Sequence, residues 1–341
     1  MSVGLPVHNG ERFLAEALGS VLAQTLSDFE LIVSDNASTD RTPEIARQHA
    51  ARDARVRYVR NDVNIGAAGN FNRTFALSRA PYFKWMAHDD VCAPDFLLRC
   101  VEVLDRDPSV VLCFPRQVDI DETGRTLGAN PYPLDTRLTR PHERFSQVMR
   151  FWRGAPAIWG VARRAALART RLIQDFYASD LVLLAELSLH GPFHEVPEDL
   201  LRHREHAGRS VYTSDRRSFS TWLNPLRRRP RRFPAWSWFL GYVSAVGRSP
   251  LPLTERTRCW MQAARWFRWR WREAVDDLMG GLSMPPTLVR RGLTPPSCSP
   301  GPAIGSAPGG ARPHPGDPGR SSTWVALHTS QRSEAPRGIQ G

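Results

Sequence analysis

Lysine is almost absent from this chain. Of 46 basic residues only Lys84 is a lysine, and the rest are arginines. Cysteine is sparse as well: Cys92, Cys100, Cys113, Cys259 and Cys298 are scattered, odd in number and free of any C-x-x-C pair. That pattern argues against a disulfide framework or a zinc site and for a reducing compartment. Long apolar runs are missing. The nearest, FPAWSWFLGYVSAVG (233–247), falls short of the roughly 18 to 20 residues that span a bilayer. MSVGLPVHNGERFL has no basic segment ahead of a long apolar stretch, so no signal peptide is expected, and a cytoplasmic location follows as the expectation. Acidic charge is in deficit, 34 residues against 46, giving a formal net charge of +12 and a pI near 10.4. Such a balance favours anionic partners: phosphates, nucleic acid or an anionic membrane face. Most of the excess lies in the C-terminal third, so it says little about the rest. A length of 341 residues with 41% hydrophobic content suffices for one sizeable core, or for a core with a smaller appendage.

What is present is an alternation of two periods. Apolar runs at 2–7, 29–35, 56–61, 82–90 and 110–116 read as strands. Between them, 10–25, 38–53, 66–80 and 94–108 carry apolar residues at helical spacing, as in Phe13, Leu14, Ala17, Leu18, Val21 and Leu22. The alternation predicts an α/β fold with a mainly parallel, Rossmann-like sheet covered by helices on both faces. From 117 to 212 the pattern is less regular: 143–154 and 177–191 look helical, 156–167 reads as a strand leading into a helix, and 193–206 as an extended pair closing the sheet. Residues 213–285 are dense in Arg and Trp and form a C-terminal helical extension, with 256–279 read as one basic helix. Residues 286–341, a Pro/Gly/Ser mixture without periodicity, are expected to be disordered.

Open parallel sheets bind ligands beyond the carboxyl ends of their strands. Three polar clusters fall there: His8-Asn9, Asp35-Asn36 and Asp89-Asp90. Adjacent carboxylates repel, and burying them unpaired is costly. A divalent cation with open positions for phosphate oxygens would resolve this. A surface turn in which Asp90 caps the next helix would resolve it too, and the two acids alone do not choose between these.

Longer stretches add weight. LPVHNGERFLAEALGSVLAQTLSDFELIVSDNASTDRT, NDVNIGAAGNFN, AHDD with its following proline, and YASDLVLLAELSLHGPFHEVPEDLLRHREHAGRS together resemble family 2 glycosyltransferases over residues 2–212. The resemblance implies a GT-A nucleotide-sugar fold with a catalytic domain at 1–212. It also implies a nucleotide-sugar donor, a divalent cation (Mg²⁺ or Mn²⁺) as cofactor, a hydroxyl acceptor on a sugar or lipid-linked glycan, and no specific nucleic-acid partner. Carried over by position, Pro6 and His8 would line the nucleotide-base pocket, Asp35 would accept from the pyrimidine N–H, and Asn64 would sit on the donor side. Asp89 would hold the metal with His206 as a further ligand, Asp90 would lie near the donor sugar, and Asp180 would be the general base. There are departures: Ala87 stands where the first acid of the D-x-D motif is usual, and Asn36 replaces a second aspartate. A catalytically weak relative, or a non-enzymatic basic binder of anions, therefore stands as the alternative. Asn64 and Gly66 could merely shape a turn, Asp180 could cap its helix, and His203 reads as a bystander. The Trp/Arg segment 256–279 suits either peripheral contact with an anionic membrane or packing onto the catalytic part.

Overall fold

Short apolar runs become strands in the computed structural model, which describes residues 1–130, 134, 136–150, 156–209, 216–227 and 233–279. SVGLPV forms β1 (Ser2–Val7), buried along its whole length, followed by β2 (Glu30–Asp35) and β3 (Val56–Arg60). Helices with one apolar face connect them. α1 (Leu14–Leu22) turns Leu14, Ala17, Leu18 and Val21 inward. α2 (Thr42–Arg52) places Pro43 in its first turn, where a missing amide is harmless. α3 (Gly66–Leu77) leads into β4 (Tyr82–Trp85). β1 pairs in parallel with β2 and β4, and β2 with β3, so the carboxyl ends of these four strands share one rim.

Beyond β4 the sheet is mixed. The chain continues through β5 (Val91–Cys92), α4 (Phe96–Arg106), β6 (Leu112–Ile120), β7 (Thr126–Asn130), α5 (Pro141–Arg150), β8 (Val161–Arg163), α6 (Arg164–Leu167), α7 (Ser179–Ser188) and β9 (Phe193–Arg204). Strand order is β3-β2-β1-β4-β8-β6-β9-β5, with β7 on β6. β8 runs antiparallel to β4 and β6, while β9 is parallel to β6 and antiparallel to β5. Residues 193–204 form one long strand rather than the expected pair. The irregularity is absorbed as a bulge, because Pro115 faces Val196 while Arg116 faces Asp199, leaving Pro197, which has no amide to donate, outside the ladder.

The two faces of the sheet carry two cores. Val3, Leu5, Val33, Leu18 and Phe96 lie on one; Phe83, Trp85, Leu112, Phe145 and Val182 lie on the other. The second core extends into α9 (Pro234–Arg248) and α10 (Leu253–Trp269) through Trp238, Tyr242 and Trp266. α8 (Arg216–Leu223) precedes them and α11 (Trp271–Leu278) follows. The sequence read 256–279 as one helix; it breaks at Arg270, whose guanidinium lies 4.7 Å from the Trp238 ring and 5.4 Å from the Trp266 ring. The break lets α11 turn back on α9, where Asp277 accepts from the Ala235 amide (2.7 Å) and Trp236 Nε1 donates to Ala274 O (3.1 Å). The described residues all fall within one compact unit. The expected tail, 286–341, lies outside the described residues, and no helix among them is long and apolar enough to cross a membrane.

The single lysine is enclosed. Lys84 is 1% exposed, donates to Trp159 O and lies 4.1 Å from the Phe96 ring centre. Burial lowers its pKa below 10.5, against the partial opposition of Cys92, Cys100 and Asp90. Between the lowered value and 10.5 the unfolded chain binds more protons, so stability should rise with pH across that window. Each pKa unit of lowering corresponds to about 1.4 kcal/mol. Denaturant midpoints at neutral and alkaline pH should show this rise in the native chain and its loss in Lys84→Met; parallel pH profiles would refute it.

Candidate active site

The turns after β1 and β2 are stitched together by short polar side chains. Asn9, in a left-handed conformation (φ 51°), donates its amide to Ser38 Oγ (2.9 Å) and accepts from the Thr39 amide (2.9 Å). The Gly10 amide donates to Thr42 Oγ1 (2.8 Å) and the Glu11 amide to Asp40 Oδ2 (3.0 Å). Gly10 also abuts the β4 turn, since a Cβ there would stand 2.6 Å from His88 Cδ2. Phe13 reaches His206, with ring centres 5.0 Å apart.

Asp35, at the end of β2, is fully buried. Its Oδ1 accepts from the Ser38 amide (2.8 Å), and its Oδ2 from Tyr58 Oη (2.7 Å) and Arg60 Nη1 (2.5 Å). Burial pushes this carboxyl up, but the Ser38, Tyr58 and Arg60 interactions prevail and hold it below the ordinary value. Three of the chain's own donors thus already reach the carboxylate that the resemblance assigns to a pyrimidine N–H. Tyr58 and Arg60 escaped the sequence reading. Their i, i+2 spacing was visible, but the register that sets Arg60 opposite Asp35 was not.

Asn36 explains one departure from the family pattern. It donates to Asn64 Oδ1 (2.8 Å) while its own Oδ1 accepts from Asn61 Nδ2 (2.8 Å) and the Ile65 amide (2.9 Å). A carboxylate lacks the donor this arrangement needs. Asn64 in turn reaches His8 Nε2 (3.3 Å), so His8 and Asn64 meet at the rim. Pro6 sits just below in buried β1. Gly66, with φ 81°, packs under α8: a Cβ would lie 2.3 Å from Leu223 O.

The twin aspartates part company. Asp90 is 1% exposed and faces inward, accepting from the Arg204 amide on Oδ1 (2.9 Å) and bonded to His203 Nδ1 through Oδ2 (3.0 Å). His203, read as a bystander, therefore has a defined partner. Asp89 takes a different partner and meets His206 Nε2 through Oδ2 (2.9 Å). Burial alone would raise the Asp89 carboxyl; the His206 hydrogen bond and the nearby His88, His206 and His203 outweigh it and hold the carboxyl at about 2. Behind both stands Arg204, 1% exposed, which donates to the carbonyls of Asp89 (2.9 Å), Asp121 (3.1 Å) and Glu122 (3.1 Å) and to Glu16 Oε2 (2.6 Å). Its guanidinium lies 4.7 Å from the Phe13 ring centre. Arg204 is thus a fastener of the aspartate turn.

Asp89 carries the hard carboxylate oxygens that Mg²⁺ or Mn²⁺ prefers, and one of them, Oδ2, is engaged by His206 Nε2. No group of three or more His, Cys, Asp or Glu side chains able to hold a metal occurs among the described residues.

Asp180 opens α7, whose first residue follows Ala178 in a left-handed conformation (φ 60°). Burial raises its carboxyl above the ordinary range, opposed only by the amides of Leu181 and Asp180 itself. Nearby Tyr177 contacts the Phe219 and Trp238 rings at 5.6 and 6.0 Å, and α8, which carries Phe219, covers Gly66. No hydrogen bond among the described residues links Asp180 to Asp35 or Asp89.

A Sinorhizobium fredii protein, itself uncharacterized, is 34% identical over 137 residues, 39% of this chain and 15% of that one. Chondroitin synthase of Escherichia coli is 28% identical over 127 residues, 37% of this chain and 18% of that one. The chain thus spans less than a fifth of the length of either relative. Among solved structures, S. aureus TarS 1–349 in complex with UDP-GlcNAc superposes with a TM-score of 0.58 at 14% identity, over 84% of this chain and 82% of that one, a likeness of fold. Residues 2–165 match the model of glycosyl transferase family 2, and they contain His8, Asp35, Asn64, Asp89 and Asp90. Over those residues, just under half of the chain, the strand-end aspartates and the parallel strands lie in a segment that is similar to glycosyl transferase family 2.

Proposed function

We propose that the chain transfers a sugar, with inversion, from a UDP- or dTDP-type nucleotide sugar to a hydroxyl acceptor in the cytoplasm. The observation that carries this is the convergence, at one rim, of the turns after β1, β2 and β4 near a largely enclosed pair, Asp89 and His206, with Asp90 pinned beside it. Nucleotide-sugar use and a role in surface polysaccharide or glycoconjugate synthesis agree with the family match. The acceptor hydroxyl would belong to a sugar or a lipid-linked glycan.

His8, Asn64 and the underlying Pro6 would flank the nucleotide. Asp35 acts beneath it by fixing the β2 turn and Arg60. Asp90 positions Asp89 through His203 and Arg204. A divalent cation held by Asp89 and His206 would offset the negative charge that develops on the diphosphate as it leaves. Asp180 takes the proton of the acceptor hydroxyl while that oxygen bonds to C1 of the sugar. The C1–O bond to the diphosphate breaks in the same displacement, which inverts the anomeric centre. A carboxyl raised by burial suits a general base, since its proton affinity lies closer to neutral pH.

A panel of nucleotide sugars, tested with Mg²⁺ and with Mn²⁺ and read by release of nucleoside diphosphate, tests the proposal. Turnover should appear with at least one donor and fall by about 10²-fold or more in Asp89→Ala. Equal turnover in both proteins would remove Asp89 from the site.

A further inference from the structure

Two C-terminal tryptophans, Trp238 and Trp266, are 3% and 5% exposed in the core that α9 and α10 share with α5 and α7. Others nearby do the reverse: Trp269 is 60% exposed, Trp271 52% and Met261 53%. On α10, Met261, Arg265, Arg268 and Trp269 follow one another at i, i+4, i+7 and i+8, and all four are exposed, so they form one outer stripe. Arg258 and Arg270 pair with Glu255 and Glu273. No carboxylate among the described residues pairs with Arg265 or Arg268. Beside the stripe a shallow groove between α5 and α10 is lined by Ser146, Arg150, Gln262, Arg265 and Trp269. Two guanidiniums therefore flank a cleft whose rim is an exposed indole.

We infer that this outer face of α10, continued by Trp271 past the bend, docks on the surface of an anionic lipid bilayer. Charge complementarity and shape carry the choice of occupant. Residues 256–279 hold six arginines against three acids. Arginine pairs well with phosphate, and indole rings settle at headgroup depth with their apolar body toward the acyl chains. A water-facing role would leave Met261 and Trp269 exposed along the cationic stripe and Trp271 exposed past the bend, with no described residue covering them. The inference rests on α5, α10 and α11 and not on sugar transfer, and its test reads no turnover.

The test is co-sedimentation of the full chain with vesicles of phosphatidylcholine alone and of phosphatidylcholine with phosphatidylglycerol, with tryptophan quenching by brominated lipid. Binding is expected on the anionic vesicles only, with quenching. Each basic residue near such a surface contributes roughly a fivefold change in partitioning, so Arg265→Glu/Arg268→Glu should weaken binding by more than about 25-fold. Trp269→Ala/Trp271→Ala should weaken it and remove the quenching. Arg52→Glu/Arg106→Glu, at exposed positions on α2 and α4, changes net charge equally and should retain most of the binding. Far-UV circular dichroism checks that each variant is folded. Equal binding to neutral vesicles, equal loss in both arginine pairs, or a vesicle-free dimer abolished by Trp269→Ala/Trp271→Ala would overturn the inference.

Discussion

Replacing Asp180 by asparagine should lower kcat by about 10²- to 10⁴-fold, the usual contribution of a positioned general base, while nucleotide affinity stays unchanged. Stability should move the opposite way. Because burial raises the Asp180 pKa, the contribution of this group is fully present below 3.8 and is lost as pH rises through the raised value. At neutral pH the native protein thus holds a carboxylate that folding disfavours. A neutral amide in its place carries no such charge, so Asp180→Asn should unfold at an equal or higher denaturant concentration. Higher stability with lower turnover is a pairing that a merely structural N-terminal cap would not give, since losing a cap lowers stability. In the native protein the acid limb of the rate profile should lie above the ordinary carboxylate range and vanish with the substitution. Unchanged turnover in Asp180→Asn would sink the assignment.

Arg204→Leu should destabilise the chain by about 3 to 5 kcal/mol. The side chain is enclosed, and its loss strands the carbonyls of Asp89, Asp121 and Glu122 without a donor. The exposed end of the Glu16 contact matters little, because water replaces it. Arg204→Lys should recover only part of the loss, since one ammonium cannot reproduce the fork that serves three carbonyls and a carboxylate. Urea titration measures both variants. A shift of less than about 1 kcal/mol in Arg204→Leu would show that the aspartate turn holds itself. The defect should also reach the site: with the turn loosened, residual folded protein should need more divalent cation for half-maximal turnover.

Much of this molecule is written locally. Runs such as SVGLPV and ELIVSD are too short and too apolar for anything but buried strands, and the helical stripe from Phe13 to Leu22 requires a sheet to lie against. Their alternation implied parallel pairing, hence one rim, hence His8, Asp35 and Asp89 in one neighbourhood. Asp89 and His206, though 117 positions apart, do meet, as the closing segment suggested. The broken helix at Arg270 was not legible, because what Arg270 meets there, the rings of Trp238 and Trp266, comes from packing between helices. The local sequence on either side is helical throughout.

Sequence alone determined the first four strands, which of their ends carry acids and that those ends align, because side-chain period and turn chemistry are properties of neighbours along the chain. Only the tertiary structure decided which partners each acid takes. Asp89 and Asp90 are chemically identical, and what separates them is that His203 and Arg204 reach one and His206 the other. Asp35 acquired Tyr58 and Arg60, and Asn36 its amide network, in the same way. Burial and partner choice depend on register and packing between distant segments, and no local pattern encodes those.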